Sequence, residues 1–341
     1  MNEGTELRRE PLSVVTTIFP QFDFIRQIAG DRVELTMLIS PGAESHSFEP
    51  SPRDMVTINN ADLLVYIGGH SEGWVHPILE SLEREDMRTV ALAGLVGALL
   101  EVAYHGHRGH HAHHDLVCYD DECDHDHHEY DHDHHEYDHD HHECDHDHHE
   151  CDHDHQECDH DHHHHFNPDE HVWTSPRNAA IIVAFLAEVL AEMDPSNADY
   201  FRENAAAYIE QLTALDQAFE DVVANAARQT IVFGDRFPFR YLADAYSLTY
   251  YAAFDTCCAD TQASPARIAY LINKVQNENI PVVFYIEFSN QGVANVIAEA
   301  TGARLLEMHS LHNVSHADFT AGITYLEVML RNLERLQQAL N

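Results

Sequence analysis

Positive charge is what this chain has least of. Lys274 is its only lysine, and 18 lysines and arginines stand against 59 aspartates and glutamates, for a formal net charge of −41. A nucleic-acid partner needs a basic face, so none is expected. Long apolar runs are missing too, and no stretch reads as a bilayer span. The opening Met1 to Glu10 lacks the apolar core of a secretion signal, which leaves two readings: a cytosolic chain, or one whose leader lies upstream. Cysteine is scarce outside one region. Of seven, only the adjacent Cys257 and Cys258 lie beyond it, and an odd count so spread does not resemble a disulfide framework.

That region runs from His105 to His165 and holds 25 of the 32 histidines. A seven-residue unit repeats six times in it, from Asp124, Asp131, Asp138, Asp145, Asp152 and Asp159. Early copies read Asp-His-Asp-His-His-Glu-Tyr, and later ones place Cys144, Cys151 and Cys158 in the tyrosine slot. With almost nothing apolar to bury, the tract is expected to be disordered. Its period is no coiled-coil heptad, because no pair of positions is apolar. A solvated acidic linker would not need three imidazoles per unit, whereas first-row transition metals favour this mixture of imidazole, carboxylate and thiol. Without the tract, 17 bases still face 38 acids, so the remainder is acidic as well, which suits a protein that collects cations.

Either side of the tract, strands alternate with helices. Leu12–Ile18, Val33–Leu38, Asp62–Ile67 and Thr89–Leu92 read as strands, with helices at Phe22–Ala29, after Ser51-Pro52, and over Glu72–Glu85. A helix over Pro176–Met193 ends at Asp194-Pro195. Ser196 with Asp199 then reads as a capping box. Apolar residues at Phe201, Ala205, Tyr208, Leu212, Leu215, Phe219, Val222 and Ala226 keep helical spacing, giving a rod on the order of 45 Å. Strands recur at Thr230–Gly234, Leu248–Phe254, Pro281–Ile286 and Ala303–Leu306, with helices between and a last helix to Leu340. The expected architecture is α/β: two parallel-sheet lobes, residues 12–195 and 228–341, joined by one long rigid helix over 196–227. The 105–165 insertion sits in the first lobe.

In such lobes ligands bind where loops leave the carboxyl ends of strands. Three of these loops carry imidazole: Pro41-Gly-Ala-Glu-Ser-His-Ser-Phe-Glu-Pro-Ser-Pro52 with His46, Asp169-Glu-His-Val-Trp173 with His171, and Glu307-Met-His-Ser-Leu-His312 with His309 and His312. They point to a shared metal site.

The first two stretches, together with Asn60-Ala-Asp-Leu-Leu-Val-Tyr-Ile-Gly68 and the long helix preceded by Asp-Pro, resemble the solute-binding proteins of bacterial zinc and manganese ABC transporters. The resemblance covers Leu12 to the C-terminus apart from the tract, and members often carry a His- and acid-rich insertion at that place. It implies a metal held in the cleft between two lobes, an extracytoplasmic location (periplasmic or anchored at the cell surface), and a monomer that delivers its ion to an ABC permease membrane subunit. It assigns His46 and His171 as first-lobe ligands and aligns His309 with the family's last ligand. Its third ligand falls on Arg236, in Gly234-Asp-Arg-Phe-Pro-Phe-Arg-Tyr-Leu242. A guanidinium has no lone pair to give. Glu287 is then either the missing donor or the partner of Arg236. Glu44 and His312 are further candidates, and His70, His76 and His316 read as surface residues.

An imidazole-rich set favours Zn²⁺ over Mn²⁺, which prefers carboxylate and water. Two other readings stand beside transport. One is storage of metal by the tract alone. The other is a metal-dependent hydrolase with Glu287 as base, although no His-Glu-x-x-His helix or nucleophile motif is present.

Overall fold

The computed structural model describes residues 10–45, 47–69, 71–82, 84, 86–95, 169–254 and 263–341. The tract, His46, His70, Cys257 and Cys258 lie outside the described residues. Two four-stranded parallel sheets are present. The first has order β2-β1-β3-β4, from β1 (Leu12–Thr16), β2 (Val33–Met37), β3 (Leu63–Tyr66) and β4 (Arg88–Ala91). The second repeats the pattern as β6-β5-β7-β8, from β5 (Thr230–Phe233), β6 (Thr249–Ala252), β7 (Val282–Tyr285) and β8 (Arg304–Glu307). Central strands β1, β3, β5 and β7 are nearly continuous apolar runs because helices cover both their faces. Edge strand β2 alternates, with Glu34 and Thr36 outward.

Among the described residues, the helices with both ends defined are α1 (Phe19–Ala29), α2 (Pro52–Asn59), α3 (Val75–Ser81), α4 (Pro176–Met193), α5 (Ala198–Ala224), α6 (Arg240–Ala245), α7 (Pro265–Asn277), α8 (Gly292–Thr301), α9 (His316–Thr320) and α10 (Tyr325–Leu340). Among the described residues no helix is long and apolar enough to cross a membrane. Two starts follow the sequence signals: Ser51 forms a capping box with Asp54, and the Ser264 hydroxyl accepts from Arg267 N–H.

Elsewhere tertiary bonds override local propensity. Helix α3 starts at Val75 instead of Glu72, because the Glu72 carboxyl turns back to accept the N–H groups of Ile67 and Gly68 at 2.6 and 2.8 Å. Ser196 does not cap α5. Its N–H and hydroxyl, with the Asn197 amide, go to Asp194. Burial alone would raise the Asp194 carboxyl, but these bonds from Ser196 and Asn197 hold it below the ordinary range.

Helix α5 has 27 residues, about 40 Å. It buries Phe201, Ala205, Tyr208, Leu212, Leu215 and Phe219 as the spacing predicts, then Val223 in place of Val222. This face packs on α4, α1 and α10 along its length. The joining helix is therefore also a spine packed within the body. One apolar cluster runs from Leu12 and Phe24 through Trp173 and Phe219 to Phe284 and Leu336, so both sheets share a continuous core. At the end of β5, Gly234 is required: a Cβ there would meet Ala294 Cα on α8 at 2.3 Å.

Candidate metal centre

In each sheet the chain reverses strand order beside its first strand, at β1/β3 and at β5/β7. Ligands bind at such switch points, beyond the carboxyl ends of strands. The loops leaving β2, β7 and β8, and the segment entering α4, are joined there by direct bonds. The Asn313 amide donates to Ser40 O and Ala43 O, Gly42 N–H to Val314 O, and Phe19 N–H to His312 O. Trp173 Nε1–H donates to Ser310 O at 2.8 Å.

His171 opens a single 3₁₀ turn, Val172–Thr174, and is 3% exposed. Asp169 Oδ1 accepts from both its backbone N–H (2.9 Å) and its Nδ1 (2.6 Å). Burial would raise the Asp169 carboxyl. The His171 bonds and the nearby Arg240 charge instead hold it below the usual carboxylate range, as the ionised acceptor. The ring proton of His171 therefore sits on Nδ1, and the lone pair is on Nε2. A carboxylate behind the far nitrogen is the usual support of a metal-binding imidazole.

The ring against His171 is that of His312. Their centroids are 4.7 Å apart at 84°, and Trp173 stacks edge-on to His312 at 5.0 Å. His312 is buried, and its Nδ1 lies 2.6 Å from Ser310 Oγ. Glu287 stands behind that serine. Its Oε2 accepts Ser310 N–H at 2.7 Å and its Oε1 accepts the Ser310 hydroxyl.

His309 is set differently. Its Nδ1 accepts Leu311 N–H at 3.0 Å, which places the proton of a neutral ring on Nε2. Asn332 clamps its backbone on both sides. The 3.7 Å approach of Nδ1 to Glu287 is longer than a hydrogen bond, and the Leu311 bond is the one that orients the ring.

Of the predicted residues, His171 and Glu287 thus meet around Ser310 and His312, while His309 faces its own loop. Arg236 lies 3.8 Å from Glu44 and not against Glu287, whose carboxyl is engaged by Ser310. His76 and His316 are on the surface, as expected, beside Glu80 and Thr320. Among the described residues no three histidine, cysteine or acidic side chains converge on one point, and His46 lies outside them.

The sequence reading passed over Asp169 and Ser310, and gave His312 second place to His309. The available signal was a carboxylate two residues before His171 and a hydroxyl two before His312. Either side chain can reach the ring of its own loop.

The model of the family described as zinc-uptake complex component A, periplasmic, matches residues 14–339. The zinc-binding lipoprotein AdcA of Streptococcus pneumoniae is 30% identical over 331 residues, 96% of this chain and 55% of its own length. The chain therefore spans about half the length of the streptococcal relatives it matches. The high-affinity zinc uptake system protein ZnuA of Bacillus subtilis is 27% identical, covering 99% of this chain and 90% of that protein. The crystal structure of the Zn(II)-bound ZnuA-like domain of pneumococcal AdcA superposes with a TM-score of 0.68 at 26% identity, over 97% of this chain and 99% of that one. With two parallel α/β sheets, a long joining helix and a match over nearly its whole length, the chain belongs to the zinc-uptake complex component A family.

Proposed function

We propose that this chain is an extracytoplasmic solute-binding protein that takes one Zn²⁺ between its two sheets and delivers it to an ABC permease. The observation that carries this reading is the His171–His312 pair, two buried imidazoles from loops of different sheets with centroids 4.7 Å apart. Imidazole donors favour zinc over manganese. His312 replaces His309 as the second-sheet ligand, His46 is a third donor on the strength of the resemblance, and Glu287 stands behind His312. The bonds that tie the loops across the seam support small movements on release. The protein acts as a monomer, without turnover and without nucleic acid, and the 105–165 tract gathers further ions weakly.

The test is competition between a chromogenic chelator and the protein for zinc. The full chain, a 105–165 deletion, and His171→Ala and His46→Ala variants of each would be compared. One tight site should survive the deletion and disappear with either substitution. A deletion variant with no tight site would sink this reading and leave storage by the tract. Since the donors must be deprotonated, affinity should fall as pH drops toward the ordinary histidine value of roughly 6.5.

A further inference from the structure

We infer that Ser310 is the positioning residue that fixes the tautomer of His312, with Glu287 as its anchor. This rests on the metal-site reading above. Ser310 is 1% exposed, and every polar atom it has is committed. Its carbonyl accepts from Trp173, its N–H goes to Glu287 Oε2, and its hydroxyl lies between Glu287 Oε1 and His312 Nδ1. A serine hydroxyl has one proton. Donated to Glu287, it leaves the oxygen facing His312 as an acceptor. Nδ1 then carries the ring proton, and the lone pair is fixed on Nε2.

The neighbouring histidine gives the contrast. Leu311 N–H donates to His309 Nδ1, which forces the opposite tautomer three residues away in the same loop. Leu311, between Ser310 and His312, is fully buried at φ +67°, a left-handed conformation that a leucine adopts only where its surroundings enforce it. One loop thus presents one imidazole as a ligand and ties the Nδ1 of the other to its own backbone. Glu287, with both oxygens engaged by Ser310, supports the ligand without being one.

The inference can be read without metal. Long-range ¹H–¹⁵N correlation spectra of the full chain at pH 8 report which ring nitrogen carries the proton. The His312 signals are identified by their loss in His312→Gln. The wild type should show the Nδ1–H form. Glu287→Gln, nearly the same shape, should reverse it. The amide oxygen must face Ser310 N–H, so its NH₂ donates to the hydroxyl, whose proton turns to His312 Nδ1. Ser310→Ala should release the preference. Both variants should lose zinc affinity by about 10–100-fold, while Co²⁺ absorption shows the same donor set. A wild-type Nε2–H form, or a tautomer unmoved by both substitutions, overturns the inference. So does a tautomer reversed with zinc affinity unchanged. If the tautomers respond as stated but the wild type holds no tight zinc, the metal-site reading fails and Ser310's control of His312 stands.

Discussion

Two polar clusters join the halves of this molecule, and they use their atoms differently. In one, the buried Asp23 carboxylate on α1 accepts from Arg26 (3.0 and 2.5 Å), from Gln27 (3.1 Å) and from Tyr325 N–H at the start of α10 (2.6 Å). Arg26 continues to Ile323 O, and Tyr325 OH to Trp173 O. Every one of those contacts ends on the chain, so the cluster is a clasp. In the other, His171 and His312 turn Nδ1 to a carboxylate and to a serine, so that each ring is held in one tautomer. The first arrangement holds the protein together, whereas the second fixes the two imidazole rings that the proposed function assigns to the metal.

Breaking the clasp should have the largest effect on stability and little on binding. Asp23→Ala strands the buried Tyr325 N–H and unpairs Arg26. Losing one partner of a buried pair costs about 3–5 kcal/mol. Arg26 is 29% exposed and regains water, so we expect about 3 kcal/mol in urea unfolding. Zinc affinity should stay within about threefold. A large affinity loss at unchanged stability would reverse the roles assigned to the two clusters.

Glu72 tests the same distinction under the first sheet. Its Oε2 accepts from Ile67 and Gly68, and the Thr17 hydroxyl lies against the same carboxyl, so these bonds oppose the effect of its burial. Burial pushes this carboxyl up from 4.5 to about 7, helped by the Glu170 charge. The folded state therefore favours the protonated acid. Its contribution to stability is complete below about pH 4.5 and is lost as pH rises through about 7. At about 1.4 kcal/mol per unit, the loss by pH 8 is up to about 3 kcal/mol. Glu72→Gln should be more stable than wild type by that order at pH 8 and should converge with it at pH 4.5. Parallel urea midpoints at the two pH values would refute the assignment.

Much of this was legible in the sequence. The alternation of β-branched runs with capped helices gave both sheets, and the period of α5 gave its buried face as far as Phe219. What escaped was decided by contacts between distant residues. Glu72 shortens α3 by bonding Ile67 and Gly68, and Asp194 takes Ser196 away from the α5 cap. Neither is visible in local propensity. At the site, His-Ser-Leu-His names two candidate ligands but not which way each ring turns. That is set by a backbone N–H for His309 and by a serine backed by Glu287 for His312.

The smaller effects distinguish those two rings. Removing a ligand from a zinc site worth about 10–16 kcal/mol over four donors costs roughly a quarter of it. His312→Ala should therefore weaken zinc binding by about 100-fold or more. His309 should be dispensable if its bond to the backbone is preserved. Its Nδ1 accepts the N–H two residues on, a bond that an asparagine side chain also makes in turns. His309→Asn should keep Leu311 satisfied in its left-handed conformation and leave His312 in place. Zinc affinity should then change by less than about threefold, under roughly 0.7 kcal/mol. A 100-fold loss in His309→Asn, with His312→Ala unaffected, would return the ligand role to His309. It would also mean that the Leu311 bond breaks when metal binds.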